Sequence, residues 1–281
     1  MKKILIPFDF SRSSNNALSY AVALSEHYNV KQITLVVNVY ITEFEQLIPT
    51  ADFIQYSVDK VAELDSQLQA QFKALIHAIL HRLKNRVRIS FILSKIPFLQ
   101  TLRNLLQQQK PDLMLIGSNH GVSGEESYIG DHLIKIAKTS TIPVLIIPEL
   151  TRYQQIRLAL VPFNQSNLPA IKSLEQLNNA EQWPHPDLLL LHVNDTPDIL
   201  PEQEFTYKLK PEITQNLQHY AIYEAPGKDI LKNVNRFSYE YDPQLIIALP
   251  GRHSFLYKLT HRNIIKALAK NNYKPVLILK R

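Results

Sequence analysis

IPFDFS at residues 6–11 and VPFNQS at residues 161–166 are one phrase written twice, 155 positions apart. Working outward from this pair, LVVNV at 35–39 answers to LLLHV at 189–193, an offset of 154. KPDLMLI at 110–116 answers to YDPQLIIAL at 241–249, with Pro111 on Pro243 at an offset of 132. IPVLII at 142–147 answers to KPVLIL at 274–279, again at 132. Apart from a one-residue shift the offset changes once, by 22 residues, so the first copy carries a longer helical excursion at about residues 45–85. A constant offset on both sides of one length change marks a duplication. The copies are expected over 1–150 and 151–281, joined near Pro148–Tyr153 by a connector too short for much independent motion.

Within the first copy, Ile4–Pro7, Ile33–Val39, Arg88–Leu93, Leu113–Ile116 and Val144–Ile147 are apolar with little polar alternation. Runs of that kind are strands of a parallel sheet covered on both faces. Helical patterns lie between them, at Asn15–Glu26, roughly Ile54–Leu83, Phe98–Gln108 and His132–Lys138. The alternation predicts an α/β chain built from two doubly wound, Rossmann-like units.

The composition agrees with a globular protein: 45% hydrophobic, 20% charged, and no cysteine to form disulfides or thiolate metal sites. Two lysines and a few apolar residues precede Asp9, too short a run for a signal-peptide core. No run approaches the ~18 apolar residues of a membrane span. The expectation is a cytoplasmic protein with no membrane partner. The net charge of +6 is spread along the chain, and no nucleic-acid recognition motif stands out.

Six glycines in 281 residues is about 2%, against a usual ~7%. Four of them, Gly117, Gly121, Gly124 and Gly130, lie within fourteen residues. In an open α/β sheet ligands bind beyond the carboxyl ends of the strands, where strand order reverses. A glycine loop running from strand into helix there presents backbone N–H groups and a positive helix end, both suited to phosphate. The other side of that crevice begins at Asp9, followed by Ser11, Ser13 and Ser14. On its position alone Asp9 reads first as a helix-capping or turn residue, a role compatible with a ligand contact.

The opening KKILIPFDFSRSSNNALSYAVALSEHY, the strand LVVNVY, the turn PDLMLIGS and the closing IGDHLIKIAKTSTIPVLIIP resemble the universal stress protein family, twice over nearly the whole chain. That resemblance implies domains of the adenine nucleotide alpha hydrolase-like type, each a five-stranded parallel sheet of order 3-2-1-4-5. It implies adenosine contacts at Asp9 and at Val39 or its neighbour Asn38, and a phosphate loop of pattern G-x2-G-x9-G-[S/T] on Gly117, Gly121, Gly130 and Asp131. The fit is imperfect: His120 stands where the second glycine belongs, and Asp131 where the final hydroxyl belongs. An ionised carboxylate cannot donate to a phosphate oxygen, and a like charge ~4 Å away costs ~4 kcal/mol at an effective dielectric of 20. The cofactor expected is therefore ATP or AMP in the first copy, with Mg²⁺ only beside a triphosphate; AMP suits the altered loop better.

In the second copy Asn164 replaces Asp9, and Arg262 and Asn263 stand at the positions of Gly130 and Asp131, so that copy is read as nucleotide-incompetent. His77 and His81 have helical i, i+4 spacing without an intervening glutamate, and read as an ordinary helical pair. No nucleophile–base–orienter set is apparent, so the protein is expected to bind and not to catalyse. The resemblance also implies that the last strands, Val144–Ile147 and Val276–Leu279, pair within the chain as an intramolecular pseudo-dimer, hiding two sheet edges.

Overall fold

The computed structural model describes residues 2–39, 47–49, 54–56, 58–83, 86–118, 128–164, 170–180, 183–193, 217, 219–225, 229–250 and 274–280. The first half runs β1 (Lys3–Pro7), α1 (Arg12–His27), β2 (Gln32–Asn38), β3 (Leu47–Pro49), β4 (Ile54–Tyr56), α2 (Val58–Leu83), β5 (Arg88–Ser94), α3 (Phe98–Gln109), β6 (Leu113–Ser118), α4 (Tyr128–Thr139) and β7 (Val144–Pro148). The second runs β8 (Leu158–Phe163), α5 (Ile171–Asn178), β9 (Asp187–Val193), β10 (Tyr220–Ala225), α6 (Ile230–Tyr241), β11 (Leu245–Ala248) and β12 (Val276–Ile278).

Ten strands form one sheet in the order β10-β9-β8-β11-β12-β7-β6-β1-β2-β5. From its middle the two halves follow the same succession outward, with the first strand of each between the second and the fourth. All pairs are parallel except β7 with β12, where Ile146, Leu145 and Val144 face Val276, Leu277 and Ile278 antiparallel. The sheet is buried on both faces. On one, Leu115, Leu145, Ile147, Leu245, Ile247 and Leu277 share a core with α1. On the other, Met114, Ile116, Ile146, Ile246 and Ile278 share a core with α3, α4 and α6. This double coverage explains the unbroken apolar runs, since neither strand face meets water.

Both halves use the same device to set the first strand beside the fourth. α3 and α6 end on left-handed residues, Lys110 (φ 46°) and Asp242 (φ 47°), and Pro111 and Pro243 follow, stopping each helix. One residue on, Asp112 Oδ2 accepts the backbone N–H groups of Lys2 and Lys3 at 2.6 and 2.8 Å. Gln244 Oε1 accepts those of Arg157 and Leu158 at 3.1 and 3.0 Å. The duplicated PD and PQ pairs are thus structural.

Two expectations need correction. The excursion in the first copy is not helical from Ile54: Leu47–Pro49 and Ile54–Tyr56 pair antiparallel, and α2 starts at Val58. Ile54 and Tyr56 prefer extended backbone, and strong helix formers accumulate only from Val58 onward. The fourth helix begins at Tyr128 and not at His132, so Gly130 and Asp131 lie in a helical first turn and not in a loop.

Candidate functional site

Asp9 follows β1 at the carboxyl edge of the sheet and is half-buried. Its Oδ1 accepts the backbone N–H of Ser11 at 3.2 Å and the Ser11 hydroxyl at 2.5 Å. Its Oδ2 accepts the backbone N–H of Ile129 at 3.1 Å. Ser11 in turn caps α1, accepting the N–H of Ser14 at 3.3 Å. One carboxylate therefore organises the start of α1 and satisfies an otherwise open donor at the start of α4. A negative charge there also complements the positive end of the α4 dipole.

The turn that aims Asp9 is strained. Phe10 has φ 61°, a conformation that costs an L-residue roughly 1–2 kcal/mol. Its ring is held edge-on to Phe8 at 4.9 Å and against Phe72 of α2 at 5.0 Å, and Phe72 stacks on Phe91 at 4.6 Å. Asn15 Nδ2 donates to the carbonyls of Phe10 and Ser11 at 2.9 and 3.0 Å. The packing of α2 thus helps to hold the turn that carries Asp9 in place.

Gly117 ends up beside α1. A Cβ on it would stand 2.1 Å from Ser13 O, 2.3 Å from Ser13 C and 2.9 Å from Ser14 N. The residue must be glycine because the first turn of α1 lies directly on β6. Ser118 follows it, 3% exposed, with an Oγ that has no hydrogen-bond partner among the described residues. Val39 is half-buried and donates its N–H to Ser94 O at 2.8 Å, while Asn38 Nδ2 donates to Ile96 O at 2.8 Å. The ends of β2 and β5 are so tied together, with Ser94 and Thr101 hydroxyls bonded beneath them.

The structure brings Asp9, Gly117 and the first turn of α4 to one edge, with Val39 one strand further out. Gly121 and His120 lie outside the described residues, as do the second-copy loop residues Arg262 and Asn263. Asn164, the counterpart of Asp9, is 2% exposed where Asp9 stays half-open to solvent. His77 is exposed on α2. Among the described residues there is no group of three side chains suited to a metal ion, and no helix long and apolar enough to cross a membrane.

What the residues alone did not reveal is the contact between Asp9 and Ile129. Its signal was the serine-rich start of α1 after an acidic residue, which announces one cap and says nothing of a second, 120 residues away.

A family model described as the universal stress protein family matches residues 1–148. A universal stress protein from Archaeoglobus fulgidus superposes with a TM-score of 0.65 at 14% identity, covering 99% of this chain and 96% of that one. A putative universal stress protein from Pseudomonas aeruginosa gives a TM-score of 0.52 at 12% identity, covering 99% and 93%. No curated protein matches the chain in sequence.

Proposed function

Because the chain belongs to the universal stress protein family, we propose that it acts in the stress response by binding, and that its N-terminal half takes an adenine nucleotide of the AMP type. The observation that supports this is the Asp9–Ile129 contact, which brings a half-buried carboxylate against the N-terminus of α4 at the carboxyl edge of the sheet. A ribose hydroxyl is a donor, as the Ile129 N–H is, and takes its place on Oδ2. The N–H groups at the start of α4 then face the phosphate. The sequence carries a carboxylate at position 131, where the family pattern has a hydroxyl, and a like charge disfavours the added charge of a triphosphate, so ATP with Mg²⁺ is the weaker ligand.

On this reading the chain consists of two domains, 1–150 and 151–281, and the C-terminal one serves as a built-in partner across β7 and β12. Pairing those strands removes two open sheet edges. Asn164 lacks the charge of Asp9 and is sealed off, which fits a structural role.

The test is thermal unfolding of the purified chain with AMP, ADP and ATP, with and without Mg²⁺. A bound nucleotide at 100 times its dissociation constant stabilises by ~2.7 kcal/mol. AMP should raise the midpoint more than ATP, and Asp9→Asn should diminish the rise. No shift with any adenine compound would instead favour a second reading, a scaffold with vestigial pockets. That reading has its own observation: both Asp9 oxygens already have donors from the chain itself.

A further inference from the structure

Between the halves, under the connector that joins them, lies a cleft of about 550 Å³, within the ~300–1,000 Å³ of small-molecule sites. Its lining includes none of Asp9, Val39, Gly117 and Ile129. One wall is the connector, including Leu150 and Arg152; the other is the end of α6 and the approaches to β11 and β12, including Tyr239, Asp242 and Lys274.

Both walls are fixed by hydrogen bonds. Asn16 Nδ2 holds the connector through the carbonyls of Pro148 and Thr151, at 2.8 and 2.9 Å. Gln244 holds the opposite wall, donating to Asp242 O at 2.8 Å while accepting from the start of β8. A site with its walls already in place loses little free energy to ordering when a ligand enters.

The lining is unbalanced in charge and carries exposed apolar side chains beside its polar ones. Lys274 is ion-paired with Asp242, which leaves Arg152 as the cleft's uncompensated cation; it is exposed and pairs with no carboxylate among the described residues. Among those residues three large hydrophobic side chains are exposed, Ile96, Leu150 and Tyr239, and two of the three line this cleft; Tyr239 is 91% exposed. Ser238, also in the lining, is 2% exposed, and its Oγ has no hydrogen-bond partner among the described residues. Exposed apolar groups gathered around one unpaired cation mark a binding surface more than chance scatter does.

We propose that this cleft is a second ligand site, taking a small organic anion with an aromatic or apolar body. The anionic group pairs with Arg152, and the body covers Tyr239 and Leu150. A guanidinium suits carboxylate, sulfonate and phosphate alike through paired donors, so the shared chemistry is an anion on an apolar frame.

The probe is 1-anilinonaphthalene-8-sulfonate, an aromatic anion whose fluorescence rises in apolar surroundings, titrated into the full-length protein. Wild type should show saturable binding of one equivalent that weakens with added salt. Arg152→Gln should weaken it roughly tenfold, the loss of one charge-assisted contact, and Tyr239→Ser should weaken it too. The neutral analogue N-phenyl-1-naphthylamine should bind wild type and Arg152→Gln alike. Asp9→Asn should leave the dye curve unchanged, which separates this site from the nucleotide crevice. Curves unaltered by both cleft variants, or a curve abolished by Asp9→Asn, would overturn the proposal.

Discussion

Asp9 Oδ2 and the backbone nitrogen of Ile129 lie 3.1 Å apart, so the carboxylate that follows the first strand is also the cap of a helix 120 positions further along the chain. At its other end the same helix, α4, receives Lys280 Nζ on the carbonyl of Ala137 at 2.6 Å. A negative group at the N-terminus and a positive one at the C-terminus both oppose the helix dipole favourably. One comes from the turn after β1 and the other from the segment after β12, so α4 ties the two halves together.

Asp9→Ala removes the acceptor for two helix starts. Loss of an N-cap costs ~1 kcal/mol, with a range of about 0.5–2, so the variant should lose roughly 2 kcal/mol in urea unfolding. Asp9→Asn keeps one acceptor oxygen and should lose about half as much. A gain in stability for Asp9→Ala would show that the carboxylate is held under tension for a ligand, as binding residues often are.

Gly117→Ala tests what the conspicuous glycine is for. A methyl group 2.1 Å from the Ser13 carbonyl oxygen forces α1 off β6, and overpacking of this kind costs ~1–3 kcal/mol or more. The variant should unfold at markedly lower urea whether or not nucleotide is present. A variant as stable as wild type that has lost only nucleotide binding would assign the glycine to the phosphate instead.

The repeat, the α/β class and the sheet-forming runs were legible because each depends on local pattern: apolar runs, turn residues and a fixed offset. The roles of Asp9 and Gly117 were only half legible. Gly117 signals that something passes close, but a helix turn and a phosphate leave the same mark in the sequence. The second cap on Asp9 and the cleft at Tyr239 and Arg152 depend on residues 87 to 120 positions apart, which no spacing rule connects. The β3–β4 hairpin was missed because Ile54-Gln55-Tyr56 continues the apolar pattern of α2, and only β propensity separates them.

Lys280 should leave a signature in alkali. Burial lowers its pKa below the ordinary 10.5, so between the folded and unfolded values the unfolded chain binds more protons, and stability rises with pH. The contribution is fully present above the unfolded value and is lost as pH falls through the folded one. Tyr20, Tyr28 and Tyr153 work in the opposite sense. Burial raises all three above 10.0, so their contribution is complete below pH 10 and is lost as pH rises through the folded values. Comparing wild type with Lys280→Met isolates the lysine, since the tyrosines cancel. As pH rises towards 10.5 the stability difference should move in favour of wild type; a flat difference would mean that the Lys280 ammonium is fully hydrated.

The seam between β7 and β12 decides whether the halves unfold together. Among the described residues the strand register across it comprises three pairs, yet Leu145 and Leu277, 3% and 1% exposed, face one another there inside a core shared by both halves. Trp183, the single tryptophan, lies against that core and lines a small apolar void with Leu145 and Leu277. Its fluorescence therefore reports the seam, while far-ultraviolet circular dichroism reports helices of both halves. Cutting the core in two would expose apolar surface on each side, so the two signals should follow one denaturation curve, as a two-state unit requires. Leu277→Ala should cost ~2–5 kcal/mol and shift both curves by the same amount. If fluorescence alone moves and the dichroism splits into two steps, each half holds its own core and the seam adds little to either.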